Sequence, residues 1–140
     1  MDLSLITGAD AVGMFCRLHM NSKRDLPIRP SEMGVLIFTQ KQLQPVTPLQ
    51  ISQFFNIAKP SVSAMVKVLL KQGYLIKEDS IEDKRSYQLS VTEKGSALVE
   101  STFSEYLKNM TLLKEKMGAA EFDQFIALIK LSNDILEGEK

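Results

Sequence analysis

The chain has 140 residues, 44% of them hydrophobic, and its 17 basic and 17 acidic side chains cancel to a formal net charge of zero. That size and apolar content suit one ordinary domain with a core, and neutrality excludes a coat protein that binds nucleic acid regardless of sequence. No apolar run nears the roughly 18 residues of a membrane span, no signal peptide opens the chain, and one cysteine cannot pair internally, so a cytoplasmic protein without a membrane partner is expected.

Residues 10–24 read as a first helix with Val12, Phe15, Leu18 and His19 near one face. Cys16 and His19, the only cysteine and the only histidine, are close enough on a helix to meet. No orienting group or oxyanion hole accompanies them, no Gly-rich phosphate loop is present, and metal ligands are too few. An enzyme, a metal site or a cofactor is therefore not expected. Cys16 is expected to be a buried structural thiol. Residues 31–44 read as a second helix, with Ser31 as cap after Pro30 and an apolar face of Met33, Leu36, Ile37 and Gln40.

Residues 47–95 carry the strongest signal, a helix-turn-helix followed directly by a two-stranded wing. Thr47-Pro48-Leu49-Gln50 is a capping box with proline at the first helical position, and Val46 and Ile51 flank it at the spacing of a hydrophobic staple. Asn56, within Phe55-Asn56-Ile57, tolerates the left-handed conformation of a tight turn. Ser52 is small enough to let two helices cross closely. The next helix runs from Pro60 to Gln72 and stops at Gly73, with Val62, Met65, Val66 and Leu69 forming one buried stripe.

Opposite that stripe lie Pro60, Ala64, Lys67 and Lys71, with Ser61 and Ser63 on the flanks, and the only charged residues across positions 45–76 are Lys59, Lys67 and Lys71. Small side chains, hydroxyls and lysines without an acid suit a helix in a DNA major groove. Neither Ala58 nor Lys59 is a good capping side chain. Base reading would rest on few groups, including methyl contacts from Pro60 or Ala64 to thymine.

Residues 74–79 then read as a strand, and Tyr87-Gln88-Leu89-Ser90-Val91 as its returning partner. The polar tip between them contains Asp83, Lys84 and Arg85. Arg85 suits a narrow minor groove, and Asp83 can hold its guanidinium by a charge-assisted bond. From residue 45 to 94 there are seven Lys/Arg against five acids, so tight DNA binding needs two copies.

After Gly95 one long helix is expected to carry Leu98, Val99, Phe103, Tyr106, Leu107, Met110, Leu113 and Met117 up to a break at Gly118. A terminal helix then presents Phe122, Phe125, Ile126, Ile129 and Leu136. Both have more apolar surface than a small winged module covers alone, which points to pairing with a second copy. Residues 31–95 are expected as the DNA-binding lobe, with 1–30 and 96–140 as the dimerisation lobe of a single domain.

The run Asp83-Lys84-Arg85-Ser86-Tyr87-Gln88-Leu89-Ser90-Val91-Thr92-Glu93-Lys94-Gly95 resembles the wing signature of the MarR family of bacterial transcriptional regulators. That signature is Asp-x-Arg, a short alternating strand, then Thr-x-x-Gly opening a long helix. Residues 51–57 and 69–75 also resemble the family's helix-turn-helix. The likeness is specific over residues 31–95 and rests on helix pattern and length elsewhere.

The resemblance implies a mainly α fold with a small β-wing and a homodimer on a pseudo-palindromic operator in double-stranded DNA. Such a protein usually represses a nearby gene until a small ligand or oxidant releases it. By the match, Ser61, Ser63, Lys67, Asp83 and Arg85 take the DNA-contact role. An effector pocket is expected among Arg17, His19, Met33, Phe38 and Met110, which serve equally as core. Two alternatives stand beside this reading. One is a winged-helix protein-interaction module without DNA binding. The other is a peroxide sensor through Cys16, as in family members with a reactive cysteine after an apolar residue in the first helix; their accompanying tyrosines are not recognisable between Arg17 and Lys23.

Overall fold

A computed structural model of the chain describes residues 1–79 and 87–139. In chain order the elements are α1 (Leu3–Met20), α2 (Pro30–Lys41), α3 (Pro48–Phe55), α4 (Lys59–Lys71), β1 (Leu75–Asp79), β2 (Tyr87–Val91), α5 (Glu93–Tyr106), α6 (Lys108–Met117) and α7 (Ala119–Gly138). The fold is mainly helical with one small antiparallel sheet. The chain divides into two compact units, Asp25–Tyr106 on one hand and Met1–Arg24 with Leu107–Lys140 on the other.

The Asp25–Tyr106 unit has a closed core of Met33, Val35, Leu36, Phe38, Val46, Ile51, Val62, Val66, Leu69, Leu75, Leu89 and Val99. Its centre is α2, which buries residues around most of its circumference: Glu32, Met33, Gly34, Val35, Leu36, Phe38 and Thr39. The single face expected for this helix is therefore corrected. Gln40 is exposed and Ile37 only half-buried, while Val35, Phe38 and Thr39 are inside. Its cap is corrected as well. The helix starts at Pro30, whose fixed φ suits the first position, with Arg29 as cap. The Glu32 carboxylate accepts from the Arg29 amide at 2.9 Å.

The helix-turn-helix follows its sequence closely. The Thr47 amide donates to the Gln50 side-chain oxygen at 2.8 Å, and the Gln50 amide donates to the Thr47 hydroxyl at 3.2 Å, closing the capping box. Asn56 ends α3 in the left-handed region at φ 54°. Ser52 does more than leave space, since its hydroxyl donates to the Ile57 carbonyl at 2.6 Å and pins the turn. Strands β1 and β2 pair with Leu75 opposite Val91 and Lys77 opposite Leu89. Val46 bridges Leu89 on the other side, with its amide and carbonyl both bonded, so a one-residue third strand ties the approach to α3 into the sheet.

The expected long helix after Gly95 is two helices, α5 and α6, separated at Leu107. No proline or glycine lies at the break, which falls on the boundary between the two units. Within the Met1–Arg24 and Leu107–Lys140 unit, α1 begins at Leu3, well before residue 10, because Asp2 caps it through the Ser4 amide at 2.9 Å. None of α1, α6 and α7 contains a buried residue. Phe15 of α1 meets Phe125 of α7 edge to face at 5.6 Å between ring centres.

Candidate nucleic-acid interface

Helix α4 packs by Val62, Val66 and Leu69, which are buried, and by the half-buried Met65. That inner stripe leaves Lys59, Pro60, Ser61, Ser63, Ala64, Lys67 and Lys71 exposed. Pro60, Ser63, Ala64, Lys67 and Lys71 recur at helical spacing and so form one outward row. Ala58 caps the helix without a side-chain bond, so the cap residue itself leaves the N-terminal amides and their partial positive charge uncovered. No acidic residue occurs from position 45 to 76, so α3 and α4 together present cationic, amide, hydroxyl and apolar groups but no carboxylate.

A cleft of about 330 Å³ beside this row is lined by Thr47, Pro48, Leu49, Lys59, Val62, Ser63 and Tyr87. It joins the start of α3, the first turns of α4 and the start of β2. Thr47, Leu49 and Tyr87 thus belong to the same surface as Lys59 and Ser63, although their spacing along the chain conceals it. Lys77 is a further missed cation. Its ammonium lies 4.3 Å from the centre of the Tyr87 ring, which holds a positive charge at the base of the wing. Asp83, Lys84 and Arg85, expected at the wing tip, lie outside the described residues.

The expected effector residues fall in different places. Met33 and Phe38 are core residues of the Asp25–Tyr106 unit, with Phe38 stacked on Phe54 at 4.3 Å between ring centres. Arg17, His19 and Met110 belong to the other unit. There the His19 Nδ1 faces the Asn109 side-chain amide at 3.0 Å and the Arg24 guanidinium at 3.2 Å. Partial burial, and then the Arg24 charge, hold the imidazole below its ordinary pKa. An Nδ1 that accepts from these donors places the neutral ring's proton on Nε2. Cys16 is exposed, so the expected buried thiol is corrected. The reason is that α1 buries no residue at all within this chain.

Residues 26–86 match the sequence profile of the MarR family. An uncharacterised HTH-type transcriptional regulator of Staphylococcus aureus is 32% identical over 94 residues, which cover 67% of this chain and 64% of that protein. The chain thus spans a little under two thirds of that relative's length. A MarR/EmrR family transcriptional regulator from Acinetobacter sp. ADP1 superposes with a TM-score of 0.77 at 25% identity, over 98% of this chain and 99% of the other. A MarR variant from E. coli in complex with operator DNA superposes with a TM-score of 0.67 at 19% identity, over 76% of each chain. With the capped helix-turn-helix, the exposed row on α4 and the paired wing strands already in place, the chain resembles the MarR family of winged helix-turn-helix transcriptional regulators in sequence over residues 26–86 and in fold over nearly its whole length.

Proposed function

We propose that the chain binds a pseudo-palindromic operator as a homodimer, represses the gene beside it, and is released by a small ligand. The observation that carries this reading is the acid-free outward row of α4 beside the cleft against β2. Lys67 and Lys71 suit phosphates, Ser61 and Ser63 suit phosphates or base edges, and Pro60 and Ala64 suit a thymine methyl. Asp83, Lys84 and Arg85 are proposed to work at the minor groove beside it. The E. coli relative bound to operator DNA supports the assignment.

The unburied helices α1, α6 and α7 support dimerisation. Ile129, Leu128, Leu131, Ile135 and Leu136 of α7 are all exposed, as are Leu3, Leu5, Val12 and Leu18 of α1. Covering such surface with a second copy lowers the free energy by roughly 25 cal/mol per Å² of apolar area. It also sets two α4 helices on successive half-sites. For the released state, the crevice of about 270 Å³ lined by Phe15, Leu18, His19, Ser22, Asn109, Leu112 and Leu113 is our assignment for the ligand.

Binding of genomic DNA fragments across a salt series tests the reading. The parent is expected to retain a subset of fragments and to lose affinity steeply as salt rises. Lys67→Ala should lower the slope by about one counterion, and Arg85→Ala should weaken binding by about 1–3 kcal/mol. Affinity for DNA that neither salt nor these substitutions change would leave the winged-helix protein-interaction module as the better account.

A further inference from the structure

The end of α4 is held by the first turn of α5. The Lys94 ammonium donates to the Gln72 carbonyl at 2.7 Å, at the negative end of the α4 dipole. The Thr92 hydroxyl donates to the Gly73 carbonyl at 2.6 Å, and the Thr92 amide donates to the Tyr74 carbonyl at 3.1 Å. Three successive carbonyls leaving the recognition helix therefore accept from Thr92, just before α5, and from Lys94 in its first turn. The Thr92 hydroxyl also accepts from the Gly95 amide at 3.0 Å, so one side chain caps α5 and closes the turn after α4. The Lys94 ammonium sits 5.0 Å from the centre of the Tyr74 ring.

Gly95 makes this approach possible. A Cβ there would stand 2.3 Å from the Tyr74 carbonyl oxygen, inside any tolerable contact, so the first turn of α5 comes this near only with glycine.

We propose that Thr92 and Lys94 are positioning residues for DNA recognition, clasping the end of α4 and the root of the wing to α5. The proposal rests on the DNA-binding reading above. The chain turns through Gly73 at φ +80° between α4 and β1, a conformation open to glycine that side chains on α4 alone do not restrain. Helix α4 has 13 residues, about 20 Å at 1.5 Å per residue. A tilt of about 10° around its clasped end moves the far end, where Lys59 and Ser63 lie, by about 3 Å, a whole hydrogen-bond length. Holding three carbonyls at the pivot suppresses that tilt. It also keeps the spacing between the exposed row and the wing constant.

The experiment compares the parent, Thr92→Val, Thr92→Ser, Lys94→Met and Lys67→Ala on a fragment that the parent retains. It measures affinity across a salt series and amide hydrogen exchange on the same samples. Thr92→Val and Lys94→Met are expected to weaken binding about 5–50-fold, the effect of losing one hydrogen bond to a polar or charged donor. Their salt slopes should match the parent's, and the Tyr74 and Thr92 amides should exchange faster. Thr92→Ser should restore both readouts, while Lys67→Ala alone lowers the slope by about one.

Lys94 is exposed, so its variant carries the test even if Thr92→Val folds poorly. A slope lowered by one in Lys94→Met makes Lys94 a phosphate contact and overturns the proposal. So does parent-like affinity in both variants while Lys67→Ala weakens binding. A parent that retains no fragment overturns the functional reading, and this proposal with it, before any variant is compared.

Discussion

Helix α2 alone buries seven residues, whereas α1, α6 and α7 together bury none. The two regions are not separated by composition, since α1 and α7 carry leucines, isoleucines and phenylalanines as freely as the helix-turn-helix does. What differs is whether the chain itself supplies a covering surface. The Asp25–Tyr106 unit closes around α2 with α3, α4, α5 and the sheet, and is a finished core. In the other unit most of the apolar side chains of α1 and α7 remain exposed. A helix that keeps Leu128, Leu131, Ile135 and Leu136 exposed is stable only to the extent that something else covers it. Burial within one chain thus measures stability in one region and unmet demand in the other.

Truncating matched leucines sharpens this contrast most. Leu69 is fully buried and Leu128 is 55% exposed. Leu69→Ala leaves a cavity and should cost about 2–5 kcal/mol of unfolding free energy in denaturant titration. Leu128→Ala at a concentration where the chain is monomeric should cost less than about 0.5 kcal/mol, as surface changes do. Equal losses at the two sites would dissolve the distinction between a finished and an unfinished core.

A charge on the uncovered face tests what covers it. Ile129 is 40% exposed, and its burial in a two-fold interface contributes roughly 1.5–3 kcal/mol per copy. Ile129→Glu should therefore shift light scattering at micromolar concentration from about twice the 15.7 kDa chain mass toward a monomer. Lys130→Glu, on a neighbouring exposed residue, should shift it far less. Operator affinity should fall with the dimer, because one half-site offers few contacts. A parent that scatters as a monomer yet holds its operator tightly removes the dimer from the proposed function.

The smallest expected effect is on pH. His19 is held below its ordinary pKa of 6.5 by partial burial and by Arg24, so the unfolded chain takes up a proton before the folded one does. Stability from this group is intact above about pH 6.5 and falls as pH drops toward the folded value, where the loss levels off. Protonation also turns the Nδ1 acceptor facing Asn109 and Arg24 into a donor. Thermal melts of the parent and His19→Gln between pH 7.5 and about 5 should diverge in that window, with the parent losing more. Parallel profiles would mean that the imidazole's surroundings contribute nothing to the less-buried unit.

The helix-turn-helix was legible because its signals are local. Thr47 and Gln50 cap a helix three residues apart, Asn56 turns the chain, and Val62, Met65, Val66 and Leu69 repeat with the helical period. Each works through backbone geometry within one or two turns, and each lies where its spacing implies. The wing strand at Tyr87–Val91 was legible for the same reason, since alternation with period two is a local pattern. Misreadings occurred where local signals are silent. Helix α2 is enclosed nearly all round, so its pattern has no polar face to reveal a direction. Leu107 breaks a helix with no proline or glycine to announce it. The burial expected of Cys16 depended on a neighbour that this chain does not provide.

The row on α4 could be read from sequence, but the cleft that joins Thr47 and Leu49 to Lys59, Ser63 and Tyr87 could not. It depends on three segments whose residues lie 10 to 40 positions apart, with the Val46–Leu89 bridge tying the approach to α3 to β2. The clasp of Thr92 and Lys94 on the end of α4 is of the same kind. A Thr-x-x-Gly motif signals a capped helix start, yet only packing shows that the hydroxyl also closes another helix and that Gly95 abuts the Tyr74 carbonyl. Sequence by itself therefore determined the caps, turns and periodicities, which are set by neighbours along the chain. Tertiary structure decided which surfaces those elements share and which helices stay uncovered, because burial and long-range hydrogen bonds depend on residues far apart in sequence.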